Sequence, residues 1–544
     1  MMKKLSLLVL FFVSTLSFGQ IEDALVFLEA KDPTVVAAAL ADPSTILSQA
    51  ALDRKTAQGT PIDDRDVPLN ETQKAAIEAA TGITVYAKSK WMNAVYVRGT
   101  ETNINNLLNL NFVTAVEFMD KSLNRPFGTP IAKDKFEIEN QERVIYNYGD
   151  ATNQTTMLNV DYLHENDYTG EDIIVAFMDN GYPGVLSNPA YATLRSEGRL
   201  LGYYDFVDRV TNPNGTGSHG ASTFSDAAGF LDGDFVGTAP DASYYLFVTE
   251  DGRDESPVEE AYWVEALERA DSLGVYVVNT SLSYRDFSPN YPQYTYTYED
   301  LDGQTTLGAR GANHAYDKGM IMVNSAGNNG NESFPWVGSP ADSPGVLTIG
   351  AVNSSGDYVS FSAIGPTVDG RVKPDVMAKG RNAAIVDEFG GVTTASGTSF
   401  SSPITAGAVA SLWQAVPNLK NGVVMQAIRE SADRYNNPTN QMGYGIPDFG
   451  DALNALLLLS VEEQMQDYQF ALYPNPVSTQ INISFPKNSE RAEFALFNIL
   501  GEKVLQTNVT SLKNSIDVSG LSSGMYIASI TSNNKTTSYK IIKE

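Results

Sequence analysis

Apolar positions along the chain change their spacing twice. From Ile83 to about Lys121, strand-like alternation in ITVYAKSKWMNAVYVRG and NFVTAVEFM brackets the helix-like stretch TETNINNLLNL, which predicts a small α+β unit. Between about Met157 and Leu459 the apolar runs IIVAFM, LGYYDFV, SYYLFVT, VYVVNTSLS, MIMVNSAG and VLTIGAV read as strands separated by helical patterns. The stretch from Val258 to Gly274 carries Trp263, Ala266, Leu267, Ala270 and Leu273 at helical spacing, with Gly274 as the stop. Near-continuous apolar strands alternating with helices predict a parallel sheet covered on both faces. Chemistry in such folds gathers at the carboxyl ends of the strands. From Phe470 onward, FALYP, QINISFP, AEFALFNI, KVLQTNV, MYIASIT and TSYKIIK alternate with turn clusters such as NILGE and SNNK. This last part is predicted as a separate, helix-free β-sandwich of roughly 75 residues.

A chain of 544 residues exceeds what one core organises, and the expected division is 1–19, 20–125, 126–459, a linker at 460–469, and 470–544. Residues 1–19 read as a secretory signal: Lys3 and Lys4, an apolar run from Leu5 to Phe18, and Ser17-Phe18-Gly19 ahead of Gln20. The run is too short to span a membrane, and the longest apolar stretch elsewhere, Ala455 to Leu459, is shorter still. Ser122 to about Thr155 is polar with few periodic apolar positions and reads as a cleavable linker. The absence of cysteine removes disulfides, thiolate nucleophiles, Cys-ligated zinc and a lipoprotein anchor. A formal charge of −28, from 65 acidic and 37 basic residues, argues against a nucleic-acid partner.

Hydrolysis by a serine needs a nucleophile on a tight turn, a histidine to take its proton, a carboxylate to fix that histidine, and donors for the oxyanion. The chain has three histidines. His164, in DYLHENDYTG, and His314, in ARGANHAYDKG, read as surface or packing residues. His219 lies in GTGSHGASTF, where flanking glycines admit another backbone and a helix follows. Asp179 follows the run Ile173 to Met178 and precedes Asn180-Gly181, so its carboxylate should emerge at the end of a buried strand. Such a group needs a partner; the alternative is an Asx-turn closing the strand. Ser399 sits in TASGTSFSSPITAGAVASLW, with Gly397 permitting the turn and Pro403 expected near the start of the following helix. Read alone, it is equally a helix cap.

Order and flanks together carry more than any single piece. VAFMDNG, SHGAS and SGTSFSSP resemble the three signature segments of the subtilisin-like serine proteases, in that family's Asp, His, Ser order. GTAPDA, from Gly237 to Ala242, is similar to the segment after the family's histidine helix, and SAGNNG, from Ser325 to Gly330, to its oxyanion segment. The resemblance implies an α/β fold: a subtilisin-like parallel sheet with helices on both faces, preceded by a small α+β propeptide and followed by a β-sandwich sorting domain. It further implies a triad of Asp179, His219 and Ser399, with Asn328 in the oxyanion hole; for Asn328 the alternative is a loop amide in a left-handed conformation. Ser281, Leu282 and Ser283, with Ser325, Ala326 and Gly327, would border an extended peptide substrate. The chemistry needs no cofactor, and structural calcium is implied without assignable positions.

The chain departs from the family pattern in places. Asn180 stands where the family has Ser or Thr, and Ser283 and Tyr284 replace a usual glycine pair. Arg285 to Gly303 reads as an insertion bearing Tyr291, Tyr294, Tyr296 and Tyr298, expected to pack on the surface, with substrate contact as the alternative. NAVYVRGTETNINNLLNLNFVTAVEFMD looks like the end of a subtilisin propeptide, implying an inhibitor that the enzyme cleaves from itself. FALYPNPVSTQINISF, LFNILGEKV, DVSGLSSGMYIASI and YKIIKE are similar to type IX secretion sorting domains, implying contact with that machinery. Export across both membranes to the surface or medium follows. Gly520-Leu521-Ser522-Ser523-Gly524 fits a lipase motif by letter, yet no histidine follows it in the chain. The reading is a secreted, monomeric serine endopeptidase acting on proteins and peptides. The alternatives are an inactive subtilisin-fold peptide-binding surface protein and an exported esterase.

Overall fold

The computed structural model describes residues 20–124, 146–287, 289–468, 470–486, 489–532 and 535–544. The expected signal segment and most of the expected cleavable linker lie outside these residues. The chain divides into two compact units between Leu453 and Asn454.

The first unit opens with an antiparallel sheet in the order Ile83–Ser89, Ala94–Thr100, Ile21–Leu28, Val113–Phe118. The α+β pattern read from Ile83 is thus joined by an earlier strand, Ile21–Leu28, within the stretch 20–125. The physical reason is two-faced burial. Ala24, Val26 and Leu28 pack with Ile77, Val95, Val97 and Ile104 on one side. Leu25 joins Tyr96, Trp91, Val264 and Leu267 on the other. A strand covered on both faces shows no alternation for a period-two reading to find. The second face rests on the helix Val258–Leu273, whose Glu268 accepts bonds from Ser89 Oγ at 2.6 Å, Lys90 N at 2.8 Å and Trp91 N at 3.1 Å.

The large sheet of this unit has seven parallel strands in the order Val376–Lys379, Val346–Val352, Ile321–Ser325, Val277–Thr280, Ile174–Asp179, Ser243–Val248, Leu200–Asp205. Every residue of Val346–Val352 and Val277–Thr280 is buried, which follows from helices on both faces. Val258–Leu273 packs against Leu307–Asp317 on one face, and His219–Ala228 against Thr398–Gln414 on the other. The predicted strands recur within a few residues. Gly274, at φ 88°, terminates Val258–Leu273 as expected. The four-residue strand Val376–Lys379 and the hairpin Ala383–Val386/Val392–Ala395 were too short to stand out.

Residues 460–468 of the linker expected at 460–469 continue the helix Phe449–Tyr468, and residue 469 lies outside the described residues. No glycine or proline interrupts 451–468, so the helix runs through the expected linker. Beyond it, the second unit is built from two antiparallel sheets: Ala471–Tyr473, Gln480–Ser484 and Ser515–Asp517; and Lys503–Thr510, Arg491–Asn498, Gly524–Ser532 and Lys535–Lys543. Ile481, Ile483, Phe494, Leu496, Ala528 and Ile530 share their core, as the alternation predicted.

Candidate functional site

The site lies where the inner strand Ile174–Asp179 of the large sheet ends. Asp179 is its last residue and is 1 % exposed. Its carboxylate accepts from Asn180 N at 2.8 Å, from Thr223 Oγ1 at 3.3 Å, and from His219 Nδ1 at 2.9 Å to each oxygen. A buried carboxylate so placed fixes the imidazole tautomer: Nδ1 carries the proton and Nε2 is the free acceptor. The negative charge of Asp179 raises the His219 pKa against the lowering effect of burial, and Glu250 raises it further. His219 begins a helix and its side chain is 34 % exposed. The residue after it must be small. A Cβ on Gly220 would lie 2.6 Å from Gly181 O and 2.8 Å from Asp179 Cβ, so glycine is what lets the histidine helix reach the strand end.

Ser399 is the second residue of Thr398–Gln414. Pro403 lies further inside this helix than expected, at its sixth residue, where it removes the N–H that would bond Ser399 O. The orphaned carbonyl is taken by Ser281 Oγ at 2.8 Å, and Ser399 Oγ in turn donates to Ser281 O at 3.4 Å. Ser402 Oγ donates to Asn279 Oδ1 at 2.9 Å. The expected nucleophile is thereby locked to the segment leaving Val277–Thr280. No hydrogen bond joins Ser399 Oγ to His219 in this state; their helices pack together, and the Phe400 ring stands 6.1 Å from the imidazole.

Asn328 is held by its oxygen. Thr398 N and Thr398 Oγ1 donate to Asn328 Oδ1 at 2.9 and 3.1 Å, which leaves Nδ2 as the unengaged end of the amide, beside Gly397. Asn324 Nδ2 and Ser325 Oγ both donate to Leu282 O, at 3.0 and 3.5 Å, tying the two expected substrate-bordering segments together. Ser281, Ser325, Ala326 and Gly327 are buried, Leu282 is half-buried and Ser283 is exposed.

A family model, described as the subtilase family of peptidase S8, matches residues 170–445, just over half of the chain. The chain belongs to the subtilase family. A propeptide model for peptidase S8 of Bacteroidota matches residues 23–137, and a secretion-system C-terminal sorting model matches 471–544. Serine protease AprX of Bacillus subtilis is 27% identical over 291 residues, which is 49% of this chain and 62% of that protein. Subtilisin NAT of Bacillus subtilis subsp. natto is 29% identical over 273 residues, 50% of this chain and 63% of the relative. The chain spans about three fifths of these curated relatives. Among solved structures, the MycP3 protease from a type VII secretion system is 22% identical, covering 57% of this chain and 91% of that one at a TM-score of 0.45.

The other histidines of this subtilase stand apart. His164 is fully buried between the Tyr148 hydroxyl, 2.9 Å from Nδ1, and Thr238 O, 3.1 Å from Nε2; burial brings its pKa down to about 4. His314 packs beside Trp91, and burial again lowers it to about 4. The tyrosine-bearing insertion is packed. Tyr294 donates to Glu22 Oε2 at 2.9 Å, Tyr296 bonds Glu260, and Tyr298 bonds Pro366 O at 2.9 Å. Sequence reading missed Thr223, Thr398 and the buried pair of Tyr284 with Glu250, whose carboxyl burial pushes up to about 8. Thr223 had one available signal, its place one helical turn after His219. Among the described residues no group of three or more His, Cys, Asp or Glu forms a metal-holding cluster, and no helix is long and apolar enough to cross a membrane.

Proposed function

We propose that this subtilase is a secreted serine endopeptidase made as an inhibited precursor, acting on proteins and peptides through Asp179, His219, Ser399 and Asn328. The observation that carries the reading is the Asp179–His219 contact at 2.9 Å, formed at the carboxyl edge of the parallel sheet against which the Ser399 helix packs. Ser399 Oγ attacks the scissile carbonyl, His219 Nε2 takes its proton and returns it to the leaving amine, and Asp179 holds the imidazolium. Asn328 Nδ2 and the Ser399 N–H, which as a first-turn donor has no intrahelical acceptor, stabilise the oxyanion. No redox or group-transfer cofactor enters these steps.

The edge formed by Ser281, Leu282 and Ser283 pairs with an extended substrate as an added strand. The Tyr284 side chain turns inward to Glu250, leaving Ser283 as the exposed side chain there. The sorting domain directs export by its secretion machinery to the surface or medium, and the mature enzyme acts as a monomer. Purified mature protein should cleave casein and a peptide amide substrate, and its Ser399→Ala variant neither. Hydrolysis of esters without amides would favour the esterase reading. Inactivity of a folded, propeptide-free protein would favour the peptide-binding module.

A further inference from the structure

The N-terminal domain does more than lay its sheet on the helix Val258–Leu273. Between its first strand and the helix Glu71–Glu78 it inserts a second helix, Gln49–Gln58, and a short acidic turn at Asp63–Asp66. These pieces meet the far end of Val258–Leu273 and the segment leaving Leu307–Asp317. Ser48 N donates to Ser272 O at 3.0 Å. A Cβ on Gly274 would lie 2.7 Å from the Ala50 and Ala51 backbone, so the helix start rests directly on that left-handed cap.

Charge fills the contact. Arg54 and Lys55 both engage Asp271, the latter at 2.8 Å. From the other side Lys318 reaches Asp66 at 2.7 Å and Asp63 at 2.8 Å. Lys55 lies 3.5 Å from Asp66, so the pairs form one connected cluster. Arg54, Lys55, Asp66, Asp271 and Lys318 are each at most 1 % exposed. Such a cluster is a poor source of net stability, because desolvation offsets much of the attraction. Here Arg54 Nε and Nη1 and Asp271 Oδ2 are buried without hydrogen-bond partners. Its strength is conditional: removing one member strands the opposite charge in a dry site, whereas undocking returns all of them to water.

We propose that Gln49–Gln58 and the Asp63–Asp66 turn form a second docking site, a charge-matched latch by which the cleaved propeptide of this chain stays on its own enzyme, and whose opening times release. This deepens the inhibited-precursor reading and rests on it. Two variants probe the latch from opposite sides: Arg54→Met with Lys55→Met on the propeptide, and Asp271→Asn on the enzyme.

Hydrogen exchange on the uncleaved Ser399→Ala chain reads docking without any need for activity. Each variant should raise exchange at least tenfold across 49–58 and leave the strands Ile21–Leu28 and Ala94–Thr100 protected as before. In the active chain, the delay between the cleavage seen by intact mass and the onset of casein hydrolysis should shorten at least tenfold. The propeptide should no longer co-elute with the enzyme, and final casein turnover should match the unaltered protein. Unchanged exchange across 49–58, or an unchanged delay in both variants, would overturn the latch. Processing of the Ser399→Ala chain itself would remove the self-cleavage reading instead, and the exchange result would still judge the latch.

Discussion

Three histidines in one chain meet three environments, and the differences assign them. Burial lowers His164 and His314 to about 4, so both are neutral at pH 7. At His219 the lowering effect of partial burial is outweighed by the Asp179 carboxylate. Because catalysis needs the neutral imidazole, kcat/KM should fall as pH drops through a midpoint above the ordinary histidine value. Asp179→Asn removes the attraction that raises this pKa and the acceptor that sets the tautomer. The acid limb should move to lower pH, and kcat should drop by about three to four powers of ten. A pH profile of peptide hydrolysis checks both. Asn328→Ala keeps the fold, since the side chain is exposed. It should slow turnover by about two to three powers of ten with KM little changed. Full activity in that purified variant would remove Asn328 from the oxyanion site.

At the scale of elements, the fold depends on exchanges that a linear reading sees only in part. Pro403 looked tolerable near a helix start, yet it sits where its missing N–H frees the Ser399 carbonyl for Ser281. Ser281→Ala leaves that buried carbonyl without its donor, a cost of about 1–3 kcal/mol. The unfolding midpoint should fall by roughly 2 °C or more, turnover should decrease, and Ser281→Thr should restore both; calorimetry and peptide kinetics decide. Asp179, His219, Ser399 and Asn328 could be proposed from the sequence because their flanking segments, taken in order, resemble the family's signature segments; glycines and strand ends alone left each of them ambiguous. Thr223 and Thr398 were not read, since a threonine on a helix is common; only the place of Thr223 one turn after His219 pointed to it. Ile21–Leu28 escaped because both its faces are covered. Arg54, Lys55 and Asp271 have the composition of a solvated helix surface, and only the partner element shows them to be buried.

For the whole molecule, the order of inhibitor-like domain, subtilase domain and sorting domain was readable from changes of hydrophobic period and from motifs, and the family models recover the same order. The docking of the first domain was less visible, because it is made by two-sided strands and buried charges. The net charge of −28 disfavours a polyanion as partner and carries no information on substrate choice. The central claim is that Asp179, His219 and Ser399 act as one unit. Its most direct test is labelling of the mature protein by a fluorophosphonate, a reagent that forms a bond only with an activated serine, followed by peptide mapping. The account predicts a single adduct, on Ser399, absent in His219→Ala and strongly slowed in Asp179→Asn. A folded, propeptide-free protein that takes no label, or that is labelled at another serine, would contradict it.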